Sequence, residues 1–231
     1  MSTRIWPYVE DKFLYKEIEL VLSRFGKEMD EANLHKNVVD PFSAIFDMAK
    51  QGISYSEWLE QEKSRQTQKT LQNLVGYFHQ HLLGKVRDWD DMGAGGSFDL
   101  INNKKKIIVE IKNKHNTLNS NSATQTYNKM TAHLNGSYKG YQGYVVLLIP
   151  KSQKRYDKYF APNDDQKPVN KRGDLKEIDG STLYEIVTGD KDALKKLYAC
   201  LPRAISIAMP GVNFSKEDEK KLKSLFDKAF G

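Results

Sequence analysis

The sequence predicts an α/β protein: a mixed central β-sheet flanked by helices, with a helical N-terminal part. Two apolar runs supply the sheet, Ile107-Ile108-Val109-Glu110-Ile111 and the continuous stretch over 144–150 (YVVLLIP), the second reading as a central strand buried on both faces. Around them, apolar residues recur at the 3.6-residue helical period. A chain of 231 residues with 39% hydrophobic content buries a core of the size one such domain needs. The expected organisation is one domain over 1–231, with a helical part at 1–53, a core at 54–150 and a loop-rich, helical part at 151–231.

Residues 9–25 predict the first helix, since Phe13, Leu14, Ile18, Val21, Leu22 and Phe25 form one stripe and Gly26 is a natural stop. Asp40-Pro41 opens a second through Phe42, Ile45, Phe46 and Ala49, ended by Gly52. Ser54 or Ser56 caps a long third helix reaching Leu83, with Leu71, Leu74, Val75, Phe78 and Leu82 repeating and Gly84 closing it. Strands are expected at 85–88, 98–101 and 107–112, the last two joined by a turn at Asn102-Asn103-Lys104. A helix then begins at Ser122, with Gln125 completing a capping box and Ala123, Tyr127, Met130 and Leu134 on its buried face; it crosses to the strand at 144–150. Charged, proline-bearing 151–174 reads as a long loop. The tail predicts a strand or helix start at 181–186, a helix at 190–201 stopped by Pro202, and a capped terminal helix at 215–230.

Composition narrows the function. Lys and Arg number 36 against 30 Asp and Glu, a mildly basic balance compatible with nucleic acid. The lone Cys200 excludes an internal disulfide and a multi-cysteine zinc site, and a reducing interior fits; its expected role is packing near a helix end. The N-terminal stretch lacks the apolar region of a signal peptide, and no apolar run is long enough to cross a bilayer, so the expectation is a cytoplasmic protein with no membrane partner.

The chemistry concentrates in SFDLINNKKKIIVEIKNKHNTLN, residues 97–119. Strand side chains alternate faces, so Glu110 and Lys112 share one, and a hairpin brings Asp99 against Glu110. Two carboxylates and a lysine suit a hard, oxygen-seeking divalent cation, with Lys112 orienting a water or an anionic oxygen. A half-exposed hairpin with a surface Glu-Lys pair fits the same residues. His79 and His81 diverge by about 200° on a helix, which excludes a shared metal and leaves them as polar surface or core hydrogen-bonders. Gly93-Ala94-Gly95-Gly96 is a turn and no phosphate loop, since no Gly-Lys-Ser/Thr follows. Asp90-Asp91 reads as loop acids, and His115-Asn116 lacks the partners of a His-Asn-His nuclease.

Phe98-Asp99 followed by Glu110-Ile111-Lys112 resembles the PD-(D/E)xK nucleases, with Phe98 where the pattern has proline. Together with GYFHQHLLG upstream, VEIKNKHNTLNS, and LYEIVTGDKDALKKLYACLP downstream, it resembles the type II restriction endonucleases that cut GGNCC or GGWCC sites. The resemblance spans roughly 55–205 in separated blocks, KNKHNT being the most specific. It implies a restriction-endonuclease-like core and Mg2+-dependent hydrolysis of double-stranded DNA leaving a 5′-phosphate. In that reading Asp99, Glu110 and Lys112 are catalytic, and Asp99, Glu110 and the backbone carbonyl of Ile111 hold the metal. Glu62, on one helical face with Lys69 and near Arg65, is a candidate further acid, with Gln72 behind it; a solvated ion-pair face is the plainer account. Lys114, His115, Asn116, Thr117 and Asn119 are candidate DNA contacts, against the plainer reading of a polar turn. A palindromic site implies a homodimer, and a cognate DNA methyltransferase that forms no stable complex with it. Two other readings remain at this point: a non-catalytic DNA-binding protein on a nuclease-like fold, and a repair or junction-cutting nuclease of the same superfamily.

Overall fold

The computed structural model describes residues 4–25, 39–93, 95–164 and 167–231. They form two compact units, one of residues 20–75 and one of the residues up to 19 with 76–231. Helix α1 (Asp11–Phe25) runs from the second unit into the first; its expected stop at Gly26 lies outside the described residues.

In the smaller unit α2 (Pro41–Gln51) has the expected ends: Asp40 caps it by accepting from the Phe42 N–H, and Gly52 leaves it at φ 67, where a side chain would be strained. Its apolar stripe departs from the helical rule. Phe42, Ile45 and Phe46 are 73%, 65% and 75% exposed, and of this helix only Ala44 is buried. Helix α3 (Tyr55–Gly84) follows, Ser54 and Glu57 bonding reciprocally at its start.

The larger unit holds the sheet. Residues 85–88, expected as a strand, are turns: Lys85, Val86 and Trp89 each donate three residues back, and Asp88 sits at φ 70. The first strand is instead β1 (Asp90–Asp91), made from the pair read as loop acids. There follow β2 (Leu100–Asn102), β3 (Ile107–Lys114), α4 (Ser120–Asn135) and β4 (Gln142–Ile149). Helix α4 starts two residues earlier than expected, because Asn119 and not Ser122 caps it: Asn119 accepts from the Ser122 N–H at 2.8 Å.

The segment 151–174 is structured in part, giving β5 (Asp157–Tyr159) and the hairpin strands β6 (Asn163–Asp164) and β7 (Lys167–Pro168). Strand β8 (Leu175–Asp179) and helix α5 (Gly180–Thr188) come next, with buried Asp179 capping α5 and also accepting from the Tyr156 N–H. Helix α6 (Ala193–Ala208) passes through Pro202 rather than stopping there. Proline removes one backbone bond, while Leu197 and Ala204, seven residues apart on one face, stay buried on either side of it. Helix α7 (Lys216–Phe230) begins with a capping box between Ser215 and Asp218.

The sheet order is β1-β2-β3-β4-β8-β5. Strands β2 and β3 pair antiparallel, β3, β4 and β8 run parallel, and β5 returns antiparallel on the edge. Helix α4 is the crossover that parallel β3 and β4 require. Its Tyr127, Met130 and Leu134 join Phe98, Ile101, Ile108, Val145 and Leu175 in one buried cluster. Truncating such a side chain costs about 2–5 kcal/mol, so the depth of α4 against β3 is firmly set.

Candidate active site

Register builds the site. Ile101 pairs with Ile108, and both face α4 within the buried cluster. Two residues back on the first chain is Asp99, and two forward on the second is Glu110, so period-two alternation puts both carboxylates on the α4 face. The closed end of the hairpin is fixed by Asn102, whose side chain accepts from the Lys105 N–H at 2.8 Å, and by Lys106 at φ 54.

Asp99 closes the open end of the ladder. Its N–H donates to the Val109 carbonyl at 2.9 Å, its own carbonyl accepts from the Met92 N–H at 2.9 Å, and its side chain accepts from the Ile111 N–H at 2.5 Å. Burial, and then the charge of Glu110, push its carboxyl up to about 6, against the opposing pull of the Ile111 N–H, Lys112 and Lys129.

Glu110 is 5% exposed, which for a carboxylate demands partners. It has two. Lys112 Nζ donates to Oε1 at 2.8 Å from the same strand face, and Lys129 Nζ donates to Oε2 at 2.9 Å from α4. Lys129 was not legible as a site residue, because it stands outside the apolar stripe of its helix. No spacing rule signalled it: Lys129 lies just past the middle of α4, next to buried Met130, and only the packing of the helix against β3 brings it to Glu110.

Beyond Lys112 the strand runs on to Lys114 and then makes a 3-10 turn at His115–Thr117. His115, Asn116, Thr117 and Asn119 are exposed, while Leu118 between them packs against the core cluster. Thr117 donates to the Lys114 carbonyl at 2.6 Å, and one Asn119 oxygen is taken by the cap of α4.

Glu62 belongs to the smaller unit. Arg65 donates to both of its oxygens and Gln66 to one, and the Arg65 hydrogen bond holds its carboxyl below the usual range. With Lys69 and Arg65 it lines a cleft of about 860 Å3 inside that unit. The two helix histidines diverge as expected: His79 meets Tyr184 in the core, and His81 meets Glu17. Cys200, expected near a helix end, sits half-buried within α6, its thiol pushed up to about 11 by burial.

Known proteins match along nearly the whole length. The model of the Eco47II restriction endonuclease family covers residues 6–210. The chain belongs to that family. It is 37% identical over 237 aligned positions to the type II restriction enzyme Eco47II of Escherichia coli, spanning 97% of this chain and 98% of that one. It is 29% identical over 212 positions to the type II restriction enzyme Sau96I of Staphylococcus aureus, spanning 89% and 81%.

As a member of the Eco47II family the protein is a site-specific restriction endonuclease, which decides against a non-catalytic scaffold and against a repair nuclease. Its partner is DNA, and enzymes of this class use a divalent metal ion. Among the described residues no helix is long and apolar enough to cross a membrane.

Proposed function

We propose that this endonuclease is a magnesium-dependent homodimer that cuts duplex DNA at a short palindrome of the GGNCC or GGWCC kind, with Asp99, Glu110 and Lys112 as its catalytic residues. The observation that carries this reading is the bond from the Ile111 N–H to Asp99, with Glu110 and Lys112 paired across that same residue. It joins Asp99, which stands just before β2 rather than within the strand expected at 98–101, to the acid-x-lysine of β3.

The donors fit magnesium. Both side chains offer carboxylate oxygen, the preferred donor of a small hard cation. The Ile111 carbonyl leaves β3 on the same side as its N–H, toward the gap that opens where β2 has ended and Asp99 stands. Asp99, Glu110 and that carbonyl are the proposed ligands. Glu62 is the weaker candidate, since Arg65 and Gln66 already engage its oxygens. The ion supplies Lewis-acid polarisation of the phosphate and a lowered pKa for the attacking water.

Lys112, held at Glu110, is placed to orient that water. The water oxygen, giving up a proton to solvent, bonds to phosphorus in line as the P–O3′ bond breaks. The bonding pair stays on O3′, which takes a proton from solvent, and the product keeps a 5′-phosphate. Exposed His115, Asn116, Thr117 and Asn119, with Lys114, leave the sheet directly beyond the catalytic strand and are the proposed DNA contacts. A palindrome offers two equivalent strands, so one site per chain cuts both when two chains bind with two-fold symmetry. A methyltransferase that modifies the same sequence, without a stable complex, is the expected counterpart.

The test is cleavage of cognate duplex in magnesium beside gel shift in calcium. Asp99→Ala and Glu110→Ala lose cleavage and keep specific binding. Full activity of Asp99→Ala overturns the assignment.

A further inference from the structure

Glu110 carries one ammonium more than the acid-x-lysine pattern supplies, and the second comes from a different element. We infer that Lys129 is a further catalytic residue, which holds Glu110 before the metal ion enters and then moves to a non-bridging oxygen of the scissile phosphate. The inference rests on the active-site assignment above.

The first argument is competition for one oxygen. Lys129 Nζ lies 2.9 Å from Glu110 Oε2, and Lys112 Nζ lies 2.8 Å from Oε1, so an ammonium caps each oxygen of a carboxylate proposed to bind a divalent cation. A dication beside the same two oxygens repels both ammoniums, so loading the site favours the withdrawal of one lysine. Lys112 shares its strand with Glu110 and its side chain is 30% exposed, whereas Lys129 is anchored on another element and is 41% exposed. Lys129 is therefore the freer of the two, and its four-carbon stem swings outward, toward the side from which DNA must arrive.

Charge balance is the second argument. Asp99 and Glu110 against Lys112 and Lys129 sum to zero. A divalent ion leaves the site at plus two, matching a phosphodiester that gains a second negative charge as the water oxygen bonds to phosphorus. Without Lys129 the loaded site falls one charge short when that charge develops. Backbone placement is the third argument. Met130 and Tyr127 are locked in the core cluster, so the helix holds the Lys129 backbone over Glu110 while the ammonium alone moves.

The experiment is single-turnover cleavage by wild type, Lys129→Ala and Lys129→Arg, on cognate duplex carrying either ordinary phosphate or one phosphorothioate diastereomer at the scissile position. Lys129→Ala is expected to slow cleavage by about 10²–10³-fold, the usual cost of one donor to transition-state charge. Binding in calcium is expected to weaken far less than the rate falls, and Lys129→Arg to recover most of the rate. The penalty of Lys129→Ala is expected to shrink on one diastereomer, because sulfur there has already weakened the contact the lysine makes.

Wild-type rates in Lys129→Ala overturn the inference. So does a slowing that is equal on both diastereomers and relieved by excess magnesium, since that describes a residue that only orients Glu110. Should Lys129→Ala fail to fold, Lys129→Gln, which keeps a stem and a neutral donor, takes its place in the same comparison. Asp99→Ala is run alongside: if it still cuts, the active-site assignment fails, whereas an inactive Asp99→Ala beside a fully active Lys129→Ala removes this inference alone.

Discussion

The carboxylate of Asp99 accepts the backbone N–H that lies between Glu110 and Lys112. The first of the proposed site acids is thereby tied to the strand that carries the other two proposed residues. One hydrogen bond does not repay the burial of a charge, and the carboxyl is pushed up to about 6 by burial and by Glu110. A divalent cation bound as proposed would offset both carboxylates.

Replacing Asp99 should therefore stabilise the metal-free protein. A carboxyl raised from 3.8 to about 6 on folding binds more protons in the native state across that interval. Its stabilising contribution is complete below pH 3.8 and is lost as pH rises through 6, a swing of about 3 kcal/mol. Asp99→Asn keeps an acceptor for the Ile111 N–H and never ionises. Urea unfolding in chelator should find it more stable than wild type by about 1–3 kcal/mol at pH 8, the gain fading toward pH 4. A gain that does not vary with pH contradicts the account.

His79 imposes the opposite slope. Its ring packs against buried Tyr184, with Nδ1 and Oη 2.6 Å apart, and desolvation pushes its imidazole down to about 4 from 6.5. The unfolded chain then binds the extra proton, so stability present above pH 6.5 is lost as pH falls toward 4, again by about 3 kcal/mol. The Asp99 and His79 contributions overlap and partly cancel in the wild type. Differences between variants separate them: His79→Gln should remove the acid-side loss and steepen the gain on acidification that Asp99 contributes. Unfolding profiles of His79→Gln and wild type that run parallel from pH 7 to pH 4 count against this.

Period-two alternation made Glu110 and Lys112 legible as one face from three letters of sequence, and the short polar turn brought Asp99 to them. Lys129 was hidden, because its approach to Glu110 depends on the depth and rotation of α4 against β3, which the packing of Met130 and Leu134 decides. Strand β8 was missed for a related reason: at five residues, LKEID is too brief to show its period, and pairing with β4 defines it. Packing overrode a local rule at Pro202 inside α6, whereas at Ser122 one local cap simply gave way to another, Asn119. The Phe42, Ile45 and Phe46 stripe shows the reverse case, a periodicity that marks the helix correctly while its side chains stay exposed.

Oligomeric state gives a third expectation. Two-fold DNA and one site per chain call for two chains. Light scattering should return a dimer with cognate duplex bound, and a nicking assay on supercoiled plasmid should show both strands cut in one binding event. A protein that remains monomeric with and without cognate DNA would falsify it.

The final expectation concerns the turn that follows β3. Leu118 pins it to the core, and its exposed neighbours are held at a fixed height beyond Lys112. Rigid placement of that kind suits reading base edges better than it suits a plain connector, because discrimination needs donors and acceptors that do not move. The two ends of the turn should behave differently. Asn116→Ala should cost about 1–3 kcal/mol of discrimination between the cognate duplex and one with a single base changed, the worth of a good base contact. Lys114→Ala should weaken binding to both duplexes alike and flatten the dependence of log affinity on log salt by about one unit, as expected of a lysine on phosphate. Asn119 already gives one oxygen to the cap of α4, so Asn119→Ala should lower helix stability by about 1 kcal/mol, whatever it does to DNA. Binding of both duplexes at several salt concentrations for each variant separates these outcomes, and unchanged affinity and unchanged ratios for Lys114→Ala and Asn116→Ala reduce the segment to a connector.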